Sequence, residues 1–555
     1  MRDKSRDGLQ NRAEAYVLSN FPWLWSLVTA IPALRRWANK TIIGRAARRA
    51  PSRPHALSSM PPKGDAANKS IAGYTSWESL TDRNWFARHL PPATLPRYPD
   101  LQSEIAPLFK VRASGPRVSE HSTVLFLSFA QWFTDGFLMT ERTDRRKTHS
   151  SHQIDLNPLY GLNREQTNAV RLLSEVAGQR GLLKFEVIDG EIYAPKLYAS
   201  DGTVKPEFAV LRSPFALEEH LRRVDPKRGA ALRQTIFAFA GERANSTPMT
   251  AMLNTLFLRE HNRLAGMLEA ANPGWDDERV FQTARNINIV QLIKIVVEEY
   301  INHISPYYFQ LLADPSVCWH EAWNKPNWIP IEFNLLYRWH SLVPDYYEIS
   351  GQTIPTAEVL FDGSLLTRSG LAAAAVSASC QRAWEIGLFN TGPALLDIEL
   401  LTVQQGRTHQ LGSYNDYREA VGYPRVTRFE QITDNQDKID ALRKLYGDVE
   451  NIEFFVGLFA EDTSPRSAVP PLIGRMVALD AFSQALTNPL MSEHVFNEHT
   501  FTHEGMRTIE ATRSLQDIVN RNLARGQKPV SISMTYQRPS AGGQRLGVAP
   551  VVQTA

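Results

Sequence analysis

The hydrophobic pattern is clearest between positions 287 and 304, where apolar residues recur every three or four positions. These residues are Ile287, Val290, Ile293, Val297, Ile301 and Ile304. The spacing places their side chains on one face of an α-helix, since 3.6 residues complete one turn. Neither an internal repeat nor a phosphate-binding glycine loop is found in the sequence. The pattern predicts a mainly α protein with a single large helical domain.

A second apolar stretch, 21–34, contains Pro22 and Pro32. It is too short to span a bilayer, which takes about 20 apolar residues. Basic residues follow it closely: Arg35, Arg36, Lys40, Arg45, Arg48, Arg49 and Arg53. This combination predicts short amphipathic helices that lie in one membrane leaflet, with the basic groups at the lipid headgroups. An amphipathic pair packed on the protein body has the same composition, so both interpretations stay open.

Composition narrows the function classes. The 555 residues are 43% hydrophobic, enough for a large core, and 61 basic against 58 acidic residues do not favour a nucleic-acid partner. The two cysteines, Cys318 and Cys380, provide no disulfide framework, which favours a reducing compartment. The polar N-terminus does not resemble a secretory signal. We therefore expect an intracellular protein with peripheral, monotopic membrane association.

Changes in composition along the chain predict its organisation. Residues 1–53 form the membrane-binding segment, and residues 54–73, rich in Pro, Ser and Ala, form a linker. Residues 74–540 form the catalytic domain, and residues 541–555 form a flexible tail.

The strongest chemical signal is the run 332–340, Glu-Phe-Asn-Leu-Leu-Tyr-Arg-Trp-His, in which Tyr337 precedes His340 by three residues. On a helix the two side chains would share a face. The histidine could then hold a haem iron, with the tyrosine close enough to be oxidised to a radical. An isolated Tyr-x-x-His is more often a core tyrosine near a buried histidine.

This run resembles the proximal-haem motif of the prostaglandin endoperoxide synthases (cyclooxygenases) of the animal haem peroxidase superfamily. The order of residues is also similar over 15–21, 31–35, 76–92 and 258–264. The resemblance implies haem b, with His340 as the proximal iron ligand and Tyr337 as the radical oxidant; calcium is not expected. Nothing in the sequence corresponds to the small disulfide-rich EGF-like module of the cyclooxygenases, which suggests a bacterial-type form without it.

Residues 125–137 resemble the distal haem helix of the same family, with Gln131 in the matching position. Asp135 stands where the family has a histidine that moves the proton needed to break a peroxide O–O bond. A carboxylate can do this only if its pKa is suitable, so we expect weakened peroxidase activity. The segment around Arg243 resembles the distal arginine segment of the peroxidases and alpha-dioxygenases more than that of the mammalian cyclooxygenases, and Arg243 would then polarise the bound oxidant. Alternatively, Asp135 only caps a neighbouring group or binds Arg243.

Further residues follow from the same resemblance. Asn415 would hold the proximal imidazole, and Arg407 lies in the matching haem-side segment. His261 is expected to belong to a structural polar network rather than to a metal site.

The resemblance also implies a substrate channel. Tyr300 would hydrogen-bond the radical tyrosine, Tyr307 would form the constriction, and Val477 replaces the serine that aspirin acetylates in the family. In the family an arginine at the end of the N-terminal segment binds the fatty-acid carboxylate; Arg45 is the first candidate here, and Arg48, Arg49 and Arg53 stay open as alternatives. The remaining channel-lining positions are Phe133, Phe137, Ile301, Ile304, Phe333, Leu336 and Trp339. For each apolar residue, plain core packing is an equally good interpretation.

Together these features predict a haem-dependent fatty-acid dioxygenase of cyclooxygenase type. Its tyrosyl radical would abstract hydrogen from a polyunsaturated fatty acid before O2 adds. The alternatives are a fatty-acid alpha-dioxygenase, a haem peroxidase of small phenols, or a catalytically impaired haem protein docked on membranes. The expected partners are a fatty acid, O2 and a membrane surface, with a homodimer possible by analogy.

Overall fold

The computed structural model describes residues 13, 16–48, 83–325 and 328–538. The linker at 54–73, the tail at 541–555, the segment 76–82 and both Arg49 and Arg53 lie outside the described residues. The described chain is mainly helical with little strand, which confirms the predicted fold class.

The α-helices in the first half of the chain are Pro22–Ala30, Pro32–Ala47, Ala106–Phe109, Val124–Asp135, Asn157–Tyr160, Arg164–Val170, Leu217–Arg223, Pro226–Arg233, Pro248–Ala271 and Asp277–Ile295. Those in the second half are Asn302–Ile304, Ile331–Leu336, Thr356–Val359, Ser364–Ser369, Leu371–Cys380, Leu396–Thr408, Tyr414–Ala420, Gln436–Tyr446, Phe454–Ala460, Pro471–Leu486, Glu498–Ala511 and Leu515–Arg521. The 3₁₀ turns are Pro206–Phe208, Pro315–Val317, His340–Leu342, Pro393–Leu395, Phe429–Gln431, Val449–Asn451 and Pro489–Met491, and π-helical turns cover Leu101–Ile105 and Val296–Ile301.

Strands are short and form three two-stranded antiparallel sheets within the described part of the chain. In the first, Val118–Thr123 pairs with Arg382–Trp384, with Val118 opposite Trp384 and Thr123 opposite Arg382. The other two pairs are hairpins, Glu186–Ile188 with Glu191–Tyr193 and Tyr346–Ile349 with Gln352–Pro355. The core is therefore built by helices.

Two long helices, Pro248–Ala271 and Asp277–Ile295, pack on each other at the centre of the core. The first begins with a capping box between Thr247 and Thr250, which satisfies two backbone N–H groups that the helix leaves open. The apolar periodicity at 287–304 is confirmed as helical and buried. After Ile295 the backbone continues as a π-helical turn, a feature frequent at functional sites.

The N-terminal helices Pro22–Ala30 and Pro32–Ala47 each begin with a proline at the first helical position, where no backbone donor is lost. The amide side chain of Asn39 ties the second helix to the body, because it both donates to and accepts from the Leu312 backbone, at 3.0 and 2.9 Å. The Trp25 ring packs edge-on against Phe309.

Much of the outer surface of these two helices and of the described residues just before them is apolar and exposed. Its large exposed side chains are Tyr16, Val17, Phe21, Trp23, Leu27, Ile31, Leu34 and Trp37. We call this set the N-terminal apolar face. Within the described ranges, every helix is too short or too polar to cross a lipid bilayer.

Candidate active site

The tyrosine and histidine of the 332–340 run do not lie on one helix, so the expectation of a shared helical face is wrong. The helix Ile331–Leu336 ends before Tyr337, and His340 opens a 3₁₀ turn. The indole of Trp339 donates to the Leu336 carbonyl. If the helix continued, that carbonyl would accept instead from the backbone N–H four residues later. The turn still packs the Tyr337 ring against Trp339, with ring centroids 4.9 Å apart.

The imidazole of His340 is held by Glu399, a residue that the sequence did not indicate. Nδ1 of His340 donates to Oε2 of Glu399, which lies on the helix Leu396–Thr408 and has no exposed surface. This bond fixes the ring tautomer and leaves Nε2 as the nitrogen able to bind a metal. The two residues are 59 positions apart, so no local motif could have paired them.

Asn415 does not hold the proximal imidazole, and that prediction is wrong. Its Nδ2 donates to the Val426 carbonyl and to Glu450, both at 2.9 Å, and its Oδ1 accepts from the Val426 amide. The amide group is therefore fully used in closing a loop. The sequence match reflects a structural role in this chain.

Arg407 is engaged in a bidentate ion pair with Glu453, at 2.7 and 3.0 Å. The same carboxylate accepts a hydrogen bond from Tyr446. Arg407 thus has a fully formed structural partner, and none of its described contacts is with His340.

The three predicted distal residues lie together. Nη1 of Arg243 donates to Oδ1 of Asp135 at 3.2 Å, and Gln131 donates to Ser246, whose hydroxyl donates to the Arg243 carbonyl. Oδ2 of Asp135 and Nε of Arg243 are buried and have no hydrogen-bond partner among the described residues. Burial raises the pKa of Asp135, and the nearby Arg243 opposes this shift. The contact between Asp135 and Arg243 is therefore present, but it leaves one carboxylate oxygen available.

Arg338 is a partly buried cation whose importance the sequence did not reveal. Its guanidinium donates to the Asn334 side chain at 2.9 Å and to Thr140 at 3.2 Å. Burial lowers the pKa of Arg338 to about 10, while the charges of Asp135 and Glu399 raise it. The charges of both the distal carboxylate, Asp135, and the proximal carboxylate, Glu399, therefore act on this guanidinium.

The two predicted tyrosines face each other in the core. Tyr337 is 8% exposed and Tyr300 is fully buried. Burial raises the pKa of both phenols, and each phenol also perturbs the pKa of the other. Neither hydroxyl has a partner with hydrogen-bond geometry among the described residues. The two phenols nevertheless interact, because a hydrogen bond between them raises the pKa of Tyr300 and lowers that of Tyr337, although the hydroxyls fall short of ideal hydrogen-bond geometry.

Aromatic side chains enclose this pair. The Phe333 ring lies 4.8 Å from that of Tyr337, and Phe137 links Phe333 to Phe133, at 6.0 and 4.7 Å. The predicted channel residues Ile301, Ile304, Leu336, Trp339 and Val477 are buried in the same core, and Tyr307 packs against it partly buried.

Positive groups near the N-terminal helices differ in their surroundings. Arg45 is exposed near the end of Pro32–Ala47, and Arg48 pairs with Glu321 at 3.4 Å.

Arg466 lies with its guanidinium 3.3 Å from the centre of the Tyr308 ring, and its Nη1 is buried with no hydrogen-bond partner among the described residues. The next residue, Ser467, donates to the Ile304 carbonyl at 2.9 Å. Arg466 therefore lies beside the predicted constriction.

His261 uses both ring nitrogens in structural hydrogen bonds, with Tyr160 and with the Gly181 carbonyl, each at 2.8 Å. Burial lowers its pKa to about 3. This geometry fits the expected structural polar network.

The donor set fits a haem. An imidazole with one nitrogen fixed by a carboxylate can present the other to iron. The buried Oδ2 of Asp135 and Nε of Arg243, which have no partners among the described residues, would be available as polar groups for an oxidant bound at such a haem. Among the described residues, no group of three or more His, Cys, Asp or Glu could hold a metal ion without a porphyrin.

Comparisons with known proteins identify the family of the chain. The animal haem peroxidase family model matches residues 109–533. Prostaglandin G/H synthase 2 of Equus caballus is 30% identical over 522 residues, which cover 92% of this chain and 80% of that protein. Among solved structures, the fatty acid alpha-dioxygenase of Arabidopsis thaliana aligns with TM-score 0.66 at 15% identity, covering 94% of this chain and 89% of that one. Peroxidase A of Dictyostelium discoideum aligns with TM-score 0.64 at 19% identity, covering 82% and 95%.

The family match covers most of the chain, and the relatives align over nearly its whole length. The chain therefore belongs to the animal haem peroxidase family, as a cyclooxygenase-like, haem-dependent oxidoreductase.

Proposed function

We propose that this protein is a haem-dependent fatty-acid dioxygenase of cyclooxygenase type that uses Tyr337 as its radical. One observation carries the proposal: the Tyr337 hydroxyl is buried in an aromatic wall beside the phenol of Tyr300, three positions from His340. A phenol in that setting is protected from solvent and close to the candidate iron ligand. The names of the relatives, prostaglandin G/H synthase and fatty acid alpha-dioxygenase, support a fatty-acid substrate.

His340 would hold the haem iron through Nε2, while Glu399 keeps Nδ1 protonated and the ring oriented. A haem held at His340 would supply the peroxide-dependent oxidising chemistry that Tyr337 requires to lose one electron. The phenol loses its proton in the same oxidation, since burial disfavours any charged form of the group.

The Tyr337 radical then takes a hydrogen atom from a bis-allylic CH2 group of the fatty acid, which restores the phenol and leaves a carbon radical. O2 adds to that carbon to form a peroxyl radical. The peroxyl radical recovers a hydrogen atom from Tyr337 and regenerates the tyrosyl radical. The net change is one fatty acid plus one O2 giving one hydroperoxide, so peroxide is needed only to start the cycle.

Asp135 would move the proton that peroxide cleavage requires. Its unpartnered Oδ2 can accept that proton, and Arg243 supplies the nearby positive charge. The raised pKa of Asp135 reduces its ionised fraction compared with an ordinary aspartate. Peroxidase turnover should therefore be weak, while a cycle that regenerates its own radical tolerates the weakness.

The fatty-acid chain would lie along the aromatic and branched side chains around Tyr337, where apolar contact holds the reactive carbon near the phenol. Its carboxylate needs a cation near the constriction. Arg466 suits this role better than Arg45. The buried Nη1 of Arg466 belongs to a guanidinium that lies on the Tyr308 ring, whereas Arg45 is exposed.

The N-terminal apolar face supports the proposed monotopic docking. Trp23 and Trp37 are 67% and 68% exposed, a large cost in water that a lipid interface would remove. Cosedimentation with anionic vesicles tests this docking. The double variant Trp23→Ser, Trp37→Ser should lose most vesicle binding, and Tyr346→Ser, which changes an exposed aromatic of the body, should not. Equal binding by all three proteins would refute docking through this face.

An oxygen electrode tests the proposed reaction. Protein reconstituted with haem should take up O2 with polyunsaturated fatty acids after a trace of peroxide, and Tyr337→Phe should abolish the uptake. Uptake with saturated fatty acids, with loss of CO2 from the product, would identify an alpha-dioxygenase. Peroxide-driven phenol oxidation that survives Tyr337→Phe, without fatty-acid oxygenation, would identify a peroxidase. No turnover in any assay would identify a catalytically impaired haem protein.

A further inference from the structure

Glu399 is a buried carboxylate that is directed at the candidate iron ligand. It has no exposed surface, and its Oε2 accepts the Nδ1 hydrogen of His340. Its other oxygen, Oε1, is buried without a hydrogen-bond partner among the described residues. A carboxylate left half-satisfied in the core is costly, and natural structures keep such groups where they serve a function.

Glu399 makes no ion pair with an arginine or lysine among the described residues. The charge of Glu399 acts on the partly buried Arg338, whose pKa it raises. Arg338 directs its own hydrogen bonds to Asn334 and Thr140, so it stabilises the carboxylate only through its field. The direct hydrogen-bonding effect of Glu399 therefore falls on the imidazole of His340.

We propose that Glu399 is a positioning residue that makes His340 a strongly electron-donating iron ligand and thereby offsets the missing distal histidine. This inference depends on the proposed function, since it requires His340 to bind haem iron. A carboxylate that accepts the Nδ1 hydrogen draws that proton away from the ring, and the basicity of Nε2 rises. A more basic ligand stabilises Fe(III) over Fe(II), which lowers the midpoint potential of the haem.

The proximal and distal residues then act on the same peroxide bond. Electron donation through His340 would favour cleavage of the O–O bond of a peroxide bound at the haem. Asp135, with its raised pKa, would contribute less to this cleavage than the histidine of the family. Strong proximal donation thus explains how a chain with a weakened distal base can still start a tyrosyl-radical cycle.

The test is the Fe(III)/Fe(II) midpoint potential of the haem-reconstituted protein, measured by spectroelectrochemistry, with the iron–histidine stretching frequency of the ferrous form as a second readout. Glu399→Gln keeps the size of the side chain and an oxygen able to accept from Nδ1, but it removes the charge. We expect its potential to be more positive and its iron–histidine frequency lower than those of the wild type. Peroxide turnover should fall about 10- to 100-fold.

A control variant separates this effect from the loss of any buried charge. Glu260→Gln removes an equally buried carboxylate that is bonded to Arg263, Gln291 and Asn522, and it should leave the potential unchanged. If Glu399→Gln does not retain haem, Glu399→Asp provides the measurement. It keeps the charge but withdraws it from Nδ1, and its potential should also be more positive than that of the wild type.

Two negative results have different meanings. A wild-type potential and stretching frequency in Glu399→Gln, with normal fatty-acid oxygenation, would overturn the role of Glu399 and leave the proposed function intact. A wild-type holoprotein without a histidine-ligated Soret spectrum would overturn both.

Discussion

Replacing Tyr337 with phenylalanine should remove activity without removing stability. A hydroxyl with a formed hydrogen bond contributes about 1 kcal/mol to folding, whereas a buried hydroxyl without one costs about 1–3 kcal/mol. The Tyr337 hydroxyl is buried and lacks a partner with hydrogen-bond geometry among the described residues. The ring keeps its contacts with Phe333 and Trp339 in the variant. We therefore expect the free energy of unfolding to be unchanged or higher by up to about 3 kcal/mol.

Tyr300→Phe provides a matched control, because it deletes the same atom from the neighbouring phenol, which is also buried and unpartnered in the described structure. Tyr300 does not abstract hydrogen in the proposed cycle, so its loss removes at most one weak interaction with the radical. An interaction of about 1 kcal/mol corresponds to a roughly fivefold change in rate. Tyr300→Phe should therefore keep most of its oxygen uptake, while Tyr337→Phe falls to the level of free haem.

Both variants are measured in the oxygen electrode with a polyunsaturated fatty acid, alongside thermal unfolding and the electron paramagnetic resonance signal after peroxide addition. Tyr337→Phe should keep or raise its unfolding midpoint and lose the tyrosyl signal. Substantial oxygen uptake by Tyr337→Phe would refute the radical assignment. A clearly lower unfolding midpoint would refute the packing argument and make the activity loss structural.

Three further predictions address the proton donor, the substrate anchor and the pH dependence of stability. Burial raises the pKa of Asp135, so the rate of peroxide-driven phenol oxidation should increase with pH above the ordinary carboxyl range. A stopped-flow pH profile of Asp135→Asn should lack this increase in rate. The same increase in the variant would assign the titration to another group. Arg466→Gln should raise the KM for a free fatty acid about 10-fold or more and leave the KM for its methyl ester unchanged. Arg45→Gln should leave both KM values unchanged. The reverse result for the two variants would assign the carboxylate anchor to Arg45. Burial raises the pKa of Glu299 to about 7, so the stability it contributes is complete below its unfolded value and is lost as pH rises through about 7. Denaturation at about pH 5 and about pH 8.5 should show this loss in the wild type and not in Glu299→Gln, and equal losses in both would contradict it.

The sequence alone determined those helices that depend on residues close together in the chain. The apolar spacing from Ile287 to Ile304 determines a buried helix, since three- and four-residue steps can bury one face only in that conformation. The prolines at 22 and 32 start the two N-terminal helices for an equally local reason. Residue order also brought Gln131, Asp135 and Arg243 together through resemblance, and the structure places all three in one cluster.

The proximal side was decided by tertiary structure. The helix that was expected to carry both Tyr337 and His340 ends early, because the Trp339 side chain takes the carbonyl of Leu336. The imidazole is held by Glu399 rather than Asn415, and this follows from how the helix Leu396–Thr408 packs against a turn 59 residues away. Hydrogen bonds between distant residues depend on packing distances of a few tenths of an ångström, which no spacing along the chain encodes.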